Sequence, residues 1–127
     1  MTDYFAANIE VLHERQPSLN AEALEAQADP PFLEILQTPS GHPTARLQGA
    51  YLHSRYDPLK EARRIVAGGT VPAPSAAVVL GFGLGYLAEA FCEHHPEKPV
   101  IVVEEKPARF RRALESRDLR EIGRAHV

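Results

Sequence analysis

The sequence has no tryptophan, a single cysteine and no long apolar run. One cysteine, Cys92, cannot form a disulfide within the chain, which is typical of a reducing compartment. The longest apolar stretch, residues 76–91, is too short to span a bilayer and contains three glycines and Glu89. The N-terminus has neither the basic nor the apolar segment of a signal peptide. We therefore predict a cytoplasmic protein that does not contact a membrane.

The sequence also lacks a large excess of positive or negative side chains. The 127 residues include 14 Lys and Arg and 17 Asp and Glu, which gives a formal net charge of −3. Only residues 106–120 form a basic stretch, whereas a nucleic-acid-binding domain presents a basic face over much of its surface. We therefore predict no nucleic-acid partner. The length fits one modest domain.

The start of the chain is predicted to form two helices and a β-hairpin. Apolar residues at helical spacing predict a helix over residues 4–16, and Ser18 or Asn20 is the candidate cap of a second short helix. Alternating apolar residues predict strands at 32–38 and 43–48. The Thr-Pro-Ser-Gly sequence between them favours a tight turn, so the two strands should form a hairpin.

A third helix is signalled more strongly. Asp57 is a good helix cap, and Pro58 suits the first helical position. The apolar residues that follow make one stripe, and the glycines at 68 and 69 end the helix. We interpret residues 71–75, which contain two prolines, as a connector.

From residue 77 the pattern changes to strand, helix, strand, helix. Apolar runs at residues 77–80 and 99–103 predict buried strands, and helical patterns follow at 84–94 and 106–119. Two apolar strands joined by a helix predict parallel pairing with a right-handed crossover. The predicted fold class is α/β: N-terminal helices and a β-hairpin, followed by an incomplete Rossmann-like β-α-β-α unit with parallel strands.

These elements divide the chain into a helical and β-hairpin segment, residues 1–70, and a Rossmann-like half-domain, residues 71–120. Two parallel strands leave an open edge and an uncovered face, so we expect a missing C-terminal domain to complete the sheet. Residues 121–127 match one translated frame of a common sequencing adapter. We expect the natural sequence of this gene fragment to end near Arg120; a short natural polar tail is the alternative.

The strongest motif for chemistry is the glycine loop between the predicted strand and helix, with Gly81, Gly83 and Gly85. Such loops let a nucleotide approach the backbone at a helix N-terminus. Glu104, at the end of the next strand, is then placed to accept hydrogen bonds from a ribose. Tyr86 stands where a dinucleotide loop has Gly or Ala. The spacing is closer to an S-adenosylmethionine loop.

Purely structural roles for these residues are as consistent with the sequence as nucleotide binding is. The loop is also explained as a turn kept for packing, and Glu104 as a carboxylate that caps the next helix. The methyltransferase loop usually has an acidic residue at the position that Val79 occupies here. The identity of any cofactor therefore stays unknown at this point.

A second polar cluster precedes the third helix. It consists of His53, Ser54, Arg55, Tyr56 and Asp57. These side chains could line a pocket or merely cap the helix, and they are too close in sequence to be assumed to form a catalytic triad. His94 and His95, which follow Cys92, are adjacent on a helix, so their side chains diverge. The sequence has no second cluster of Cys or His that could complete a tetrahedral metal site with them. We therefore predict no catalytic residue and no metal site.

Two segments are distinctive at their separation: YLHSRYDPLKEA at residues 51–62, and VLGFGLGY at residues 79–86 with VVE at 102–104. Together they resemble the N-terminal part of the motility-associated factor (Maf) glycosyltransferases. In that family a hydrophobic-His-Ser-basic-Tyr-Asp-Pro-x-x-Glu-Ala segment precedes a Gly-Phe-Gly-Leu-Gly-Tyr loop. The resemblance extends over roughly residues 4–120.

The resemblance implies a bacterial protein whose full-length relatives transfer nonulosonic acids from a CMP-activated donor onto flagellin. In those relatives the transfer is attributed to a central domain after the N-terminal one. It therefore implies an accessory domain that is inactive alone, with flagellin a possible partner of the full-length protein. The resemblance identifies the glycine loop, Glu104 and residues 53–57 as parts of the family's N-terminal motifs, but it assigns them no role. The alternatives are a fragment of an S-adenosylmethionine-dependent methyltransferase, or a non-catalytic module that docks a partner.

Overall fold

A computed structural model describes residues 3–69 and 73–124 of the chain. The elements within them confirm the predicted mixed α/β class. In chain order they are α1 (Tyr4–Arg15), α2 (Ala21–Glu25), β1 (Leu33–Leu36), β2 (Thr44–Leu47), β3 (Ala50–Tyr51), α3 (Pro58–Ala67), β4 (Ala77–Leu80), α4 (Tyr86–His94), β5 (Val100–Val103), α5 (Pro107–Ser116) and α6 (Arg120–Arg124).

The first two helices begin where side chains satisfy their free N–H groups. The Asp3 carboxylate accepts from Ala6 N at 3.0 Å. Of the two candidate caps for α2, the structure uses Asn20, whose Oδ1 accepts from Ala23 N at 3.0 Å. Both helices were predicted.

The predicted hairpin is confirmed, and a third strand extends it. β1 and β2 pair antiparallel, and the turn closes through Gly41 N, which donates to Thr38 O at 3.0 Å. β3 then pairs antiparallel with β2. No sequence pattern predicts β3, because its two-residue turn needs a positive φ at Gln48 (51°) as well as at Gly49 (82°), and glutamine gives no signal for that conformation.

Helix α3 begins as predicted, with Pro58 in its first turn and Asp57 Oδ1 accepting from Lys60 N at 3.0 Å. It ends before the two glycines. Of its apolar stripe, Leu59 and Ala62 are buried, whereas Ile65 is exposed. Residues 71 and 72 of the predicted connector lie outside the described residues.

The β-α-β unit has the predicted parallel pairing of β4 with β5, in the register Ala77↔Val100 to Leu80↔Val103. Helix α4 begins two residues later than expected because Gly85 adopts φ 87° and caps it. The last predicted helix, 106–119, is confirmed as α5, which ends three residues earlier than expected at extended backbone on Arg117, whereas the short helix α6 was not predicted. Ile122 of α6 packs partly buried against the core, and residues 125–127 of the proposed adapter translation lie outside the described residues.

The two faces of the β4–β5 sheet differ. Ala77, Val79, Val100 and Val102 pack against the core that α4 and α5 help to form. The strands are therefore buried on one side only and not fully buried, and the opposite face, where every second side chain is exposed, is the predicted uncovered face. Among the helices in the described part of the chain, none has the length and apolar character needed to cross a bilayer.

Candidate functional site

The glycine loop joins β4 to α4 at the carboxyl end of the parallel sheet. Gly81, Gly83 and Gly85 all have positive φ angles, of 82°, 58° and 87°, which side chains with a Cβ rarely adopt. The loop is tied to its neighbours by backbone hydrogen bonds: Gly81 N donates to Val103 O at 2.7 Å, and Gly85 N donates to Phe82 O at 3.0 Å. The predicted strand–loop–helix is therefore present, and the three glycines are needed for its shape.

His53 closes this loop from the side of the hairpin. Leu84 N donates to His53 Nε2 at 3.0 Å. Thr44 Oγ1 of β2 donates to the carbonyl oxygen of His53 at 3.3 Å, which fixes the backbone at that point. A Cβ on Gly83 would lie 2.6 Å from His53 Nε2. Gly83 is therefore required by the close approach of the imidazole as well as by its φ angle.

The imidazole of His53 is neutral at pH 7. Burial, with a smaller contribution from the charge of Arg117, lowers its pKa from 6.5 to about 4. A neutral imidazole has one unprotonated ring nitrogen, and the hydrogen bond from Leu84 N requires this to be Nε2. His53 is thus a hydrogen-bond acceptor for the loop.

Glu104 holds the loop from the opposite side. Its Oε1 accepts from Phe82 N at 3.2 Å, and its Oε2 accepts from Lys106 N at 3.0 Å, next to the start of α5. The carboxylate therefore joins the glycine loop to Lys106, the residue before α5. Helix α5 itself has no side-chain cap, and the ribose contact of Glu104 stays a prediction.

Behind the loop, Tyr86 joins the two halves of the chain. Its side chain is completely buried, and its hydroxyl donates to the carbonyl oxygen of Pro43, next to β2. The ring makes an edge contact with His53, with centroids 5.0 Å apart. Burial raises the pKa of the phenol to about 12, so it stays protonated as a donor. This position, which has Gly or Ala in dinucleotide loops, is therefore occupied by a packing residue.

Arg117 is a member of this group that the sequence analysis missed. Its guanidinium carbon lies 3.7 Å from the centroid of the Tyr86 ring. The same group donates to Leu84 O at 2.8 Å and forms an ion pair with Glu89 of α4. Arginines in a basic stretch are usually solvated, and the sequence contains no signal that this one is buried.

The polar cluster before α3 separates into two parts. His53 reaches the glycine loop, whereas Ser54 and Asp57 face the start of α3. Ser54 Oγ accepts from Tyr56 N and Asp57 N at 3.1 Å each, and Glu61 Oε1 accepts from Ser54 N at 2.9 Å. Ser54, Asp57 and Glu61 are therefore each bonded to backbone N–H groups around one helix terminus.

Arg55 and Tyr56 point away from both groups. Both are exposed, and the Arg55 guanidinium carbon lies 5.0 Å from the centroid of the Tyr56 ring. The structure thus does not bring the five residues of the segment together as one site.

A cavity of about 750 Å³ lies beside the loop, at the carboxyl ends of β4 and β5. This is where open α/β sheets bind their ligands. Its walls are mostly apolar, and its polar lining comprises His53, Glu61, Glu104, Glu105 and Arg109. Three of these already accept from backbone N–H groups. A phosphate-binding loop instead directs such N–H groups at its ligand.

Cys92 and the histidines after it do not form a site. Within residues 3–69 and 73–124, no group of three or more His, Cys, Asp or Glu side chains could hold a metal ion. Cys92 is half-buried, and burial raises the pKa of its thiol, which makes it a poorer nucleophile.

Comparison with known proteins places this geometry in a wider context. No family model matches the chain. An uncharacterized protein of Treponema pallidum (strain Nichols) is 34% identical over 125 residues, a match that covers 91% of this chain and 42% of the relative. The chain thus spans less than half the length of that curated relative.

Solved structures extend the comparison to the fold. A Maf glycosyltransferase from Magnetospirillum magneticum AMB-1 superposes on 94% of this chain and 25% of its own, with a TM-score of 0.64 at 17% identity. MnmC2 from Aquifex aeolicus is matched over 88% of this chain and 48% of its own, at 19% identity and a TM-score of 0.37, which is too low to support an argument. The chain therefore shares its fold with one quarter of a Maf glycosyltransferase.

Proposed function

We propose that this chain is the N-terminal accessory domain of a bacterial, cytoplasmic Maf-type glycosyltransferase. The observation that carries the proposal is the 3.0 Å contact of Leu84 N with His53 Nε2. It joins the two segments on which the sequence resemblance depends, and so gives a physical reason for their occurrence together. The fold shared with a Maf glycosyltransferase over 94% of the chain supports the same assignment.

The domain's contribution is structural, and the transfer chemistry belongs to polypeptide outside it. Asp57 caps α3, Ser54 and Glu61 bond backbone N–H groups just before that helix, and His53 and Glu104 hold the glycine loop. Donor binding and transfer of a nonulosonic acid from a CMP-activated sugar are therefore assigned to a downstream domain. Within this proposal, residues 1–70 and 71–120 are two parts of one accessory domain.

A second role is favoured by the surface of the hairpin. Phe32, Tyr51 and Tyr56 are exposed on or near β1–β3, and exposed aromatic residues are enriched where proteins bind one another. We propose that this surface contacts the acceptor, flagellin, in the full-length protein. Alanine at Tyr51 and Tyr56 should weaken flagellin binding without a change in the unfolding transition, whereas Arg15→Ala at the end of α1 serves as a distant control.

The enzymatic part of the proposal is tested with the full-length reading frame. The protein is incubated with unmodified flagellin and CMP-activated pseudaminic or legionaminic acid, and the intact mass of flagellin is measured. We expect an increase by whole nonulosonic acid residues with the full-length protein and none with residues 1–127 alone. An unchanged flagellin mass with every donor, under conditions where a purified Maf enzyme modifies it, contradicts the proposal.

The methyltransferase alternative has a separate test. Isothermal titration of residues 1–127 with S-adenosylmethionine and with CMP should give no binding heat, because the N–H groups of Phe82 and Leu84 already have internal acceptors. Binding of S-adenosylmethionine that is lost in Glu104→Ala and kept in Glu105→Ala would favour the methyltransferase instead.

A further inference from the structure

One face of the β4–β5 sheet consists of four exposed apolar side chains. Val78 is 60% exposed, Leu80 80%, Ile101 51% and Val103 50%. In the parallel register Val78 lies beside Ile101, and Leu80 lies beside Val103, so the four form one continuous block. Single exposed apolar residues are ordinary, but parallel sheets are normally covered on both faces. We call this block the bare face.

Both connecting helices lie on the other side of the sheet. The core that covers Val79 and Val102 contains Ala88 and Phe91 of α4 and Leu114 of α5. Crossover connections between parallel strands are right-handed. Since α4 and α5 lie on the same face of the sheet, a parallel strand that follows α5 is added on the far side of β5, which gives the strand order β4, β5, new strand. It therefore pairs with the outer edge of β5, which has no strand partner in the described part of the chain.

The cavity next to the glycine loop is continuous with the bare face. Leu80 and Val103 belong to both, and the exposed side chains of Ile65 and Leu87 add to the same apolar wall. A segment that fills this space should therefore be apolar.

Longer relatives have enough polypeptide for this purpose. The match covers only 42% of the Treponema protein and 25% of the Maf glycosyltransferase chain. We propose that the bare face is an intramolecular docking surface, covered by polypeptide downstream of α5 that also adds a parallel strand to the outer edge of β5. The inference shares with the proposed function the premise of a longer protein, but it does not depend on glycosyl transfer.

The test measures the accessibility of the bare face in the longer protein. Cysteine is introduced as Ile101→Cys, with Val78→Cys as a second variant, after Cys92 and any downstream cysteine are replaced by serine. Tyr56→Cys is the matched control, because Tyr56 is as exposed as Val78 but lies outside the cavity and the sheet. The rate of maleimide labelling is measured under native conditions, and circular dichroism checks that each variant is folded.

We expect Ile101→Cys and Val78→Cys to react at least about tenfold more slowly than Tyr56→Cys in the longer protein, since buried thiols react only after local opening. In residues 1–127 alone the three rates should be similar. Equal rates in the longer protein overturn the proposal, as does a natural reading frame that ends at Val127. Protection in residues 1–127 that rises with protein concentration also overturns it, because the occupant is then a second copy. The flagellin assay is independent of these rates, so the two proposals fail separately.

Discussion

The glycine loop and the bare face lie at neighbouring places on the same two strands, and they differ in how far this chain completes them. The N–H groups of Phe82 and Leu84 have acceptors within the chain, Glu104 and His53. Val78 and Leu80, a few residues before, are exposed, and within residues 3–69 and 73–124 no apolar side chains cover them. The chain thus satisfies its polar groups at the loop but leaves its apolar sheet half covered. The loop is hydrogen-bonded from both sides, whereas one face of the sheet is exposed.

The largest loss of stability should come from truncating the Tyr86 side chain, which packs behind the glycine loop. Tyr86→Ala removes a completely buried ring that contacts His53 and Arg117, and it should lower the free energy of unfolding by about 3–5 kcal/mol. Tyr86→Phe keeps the ring and removes only the hydroxyl bond to Pro43, so about 1 kcal/mol should be lost. Urea unfolding followed by circular dichroism measures both. Similar losses in the two variants would mean that the ring packing is unimportant.

Gly83→Ala should be the next most damaging change. The new Cβ would lie 2.6 Å from His53 Nε2 at φ 58°, whereas a Cβ on Gly81 at φ 82° meets nothing within 4 Å. Gly81→Ala should therefore cost only the backbone strain, about 1–2 kcal/mol, and Gly83→Ala about 1–3 kcal/mol more.

A double-mutant cycle separates the clash at Gly83 from strain. In a His53→Ala background the imidazole is gone, so the costs of Gly83→Ala and Gly81→Ala, measured by urea unfolding, should converge. If the difference between the two glycine variants persists without the imidazole, the close approach of His53 is not its cause.

The titration of His53 should make the loop sensitive to acid. Its pKa is 6.5 in the unfolded chain and about 4 in the folded one, so the unfolded state binds the proton more readily between these values. Stability should therefore fall as the pH decreases from about 6.5 to about 4, by at most about 1.4 kcal/mol per pH unit. The slope is obtained from urea unfolding at several pH values. His53→Gln, which keeps an acceptor but does not titrate, should flatten it, whereas His13→Gln in α1 should not.

The smallest change in stability should result from a substitution on the bare face. Val103→Thr replaces a half-exposed side chain of the bare face, and in residues 1–127 it should change the free energy of unfolding by no more than about 0.5 kcal/mol. Val100→Thr makes the same replacement at a buried position of the same strand and should cost about 1–3 kcal/mol. Equal costs, measured by urea unfolding, would mean that the bare face is already covered in this chain.

Much of the fold could be predicted from the sequence because local signals determine it. Asp57 and Pro58 mark the start of α3, and the glycines after β4 mark the strand-to-helix turn. What the sequence could not supply depends on distant contacts. Two parallel strands predict an uncovered face, but which side chains lie on that face depends on how α4 and α5 pack.

The sequence predicts which residues belong to the candidate site but not how they contact one another. The glycines, Glu104 and His53 were singled out, but the contact between His53 and Leu84 spans 31 positions of the chain, and no local pattern encodes it. Arg117 was missed for the same reason, since its burial depends on the ring of Tyr86.

The central claim is that His53 and Glu104 occupy the loop N–H groups that a nucleotide would otherwise use. Hydrogen exchange of individual amides, followed by NMR, tests it most directly. We predict slow exchange at Phe82 and Leu84 in the unmodified chain, with faster exchange at Leu84 in His53→Ala and at Phe82 in Glu104→Ala, while the amides of α1 are unaffected. Exchange of both loop amides at the rate of an unstructured peptide in the unmodified chain would contradict the account.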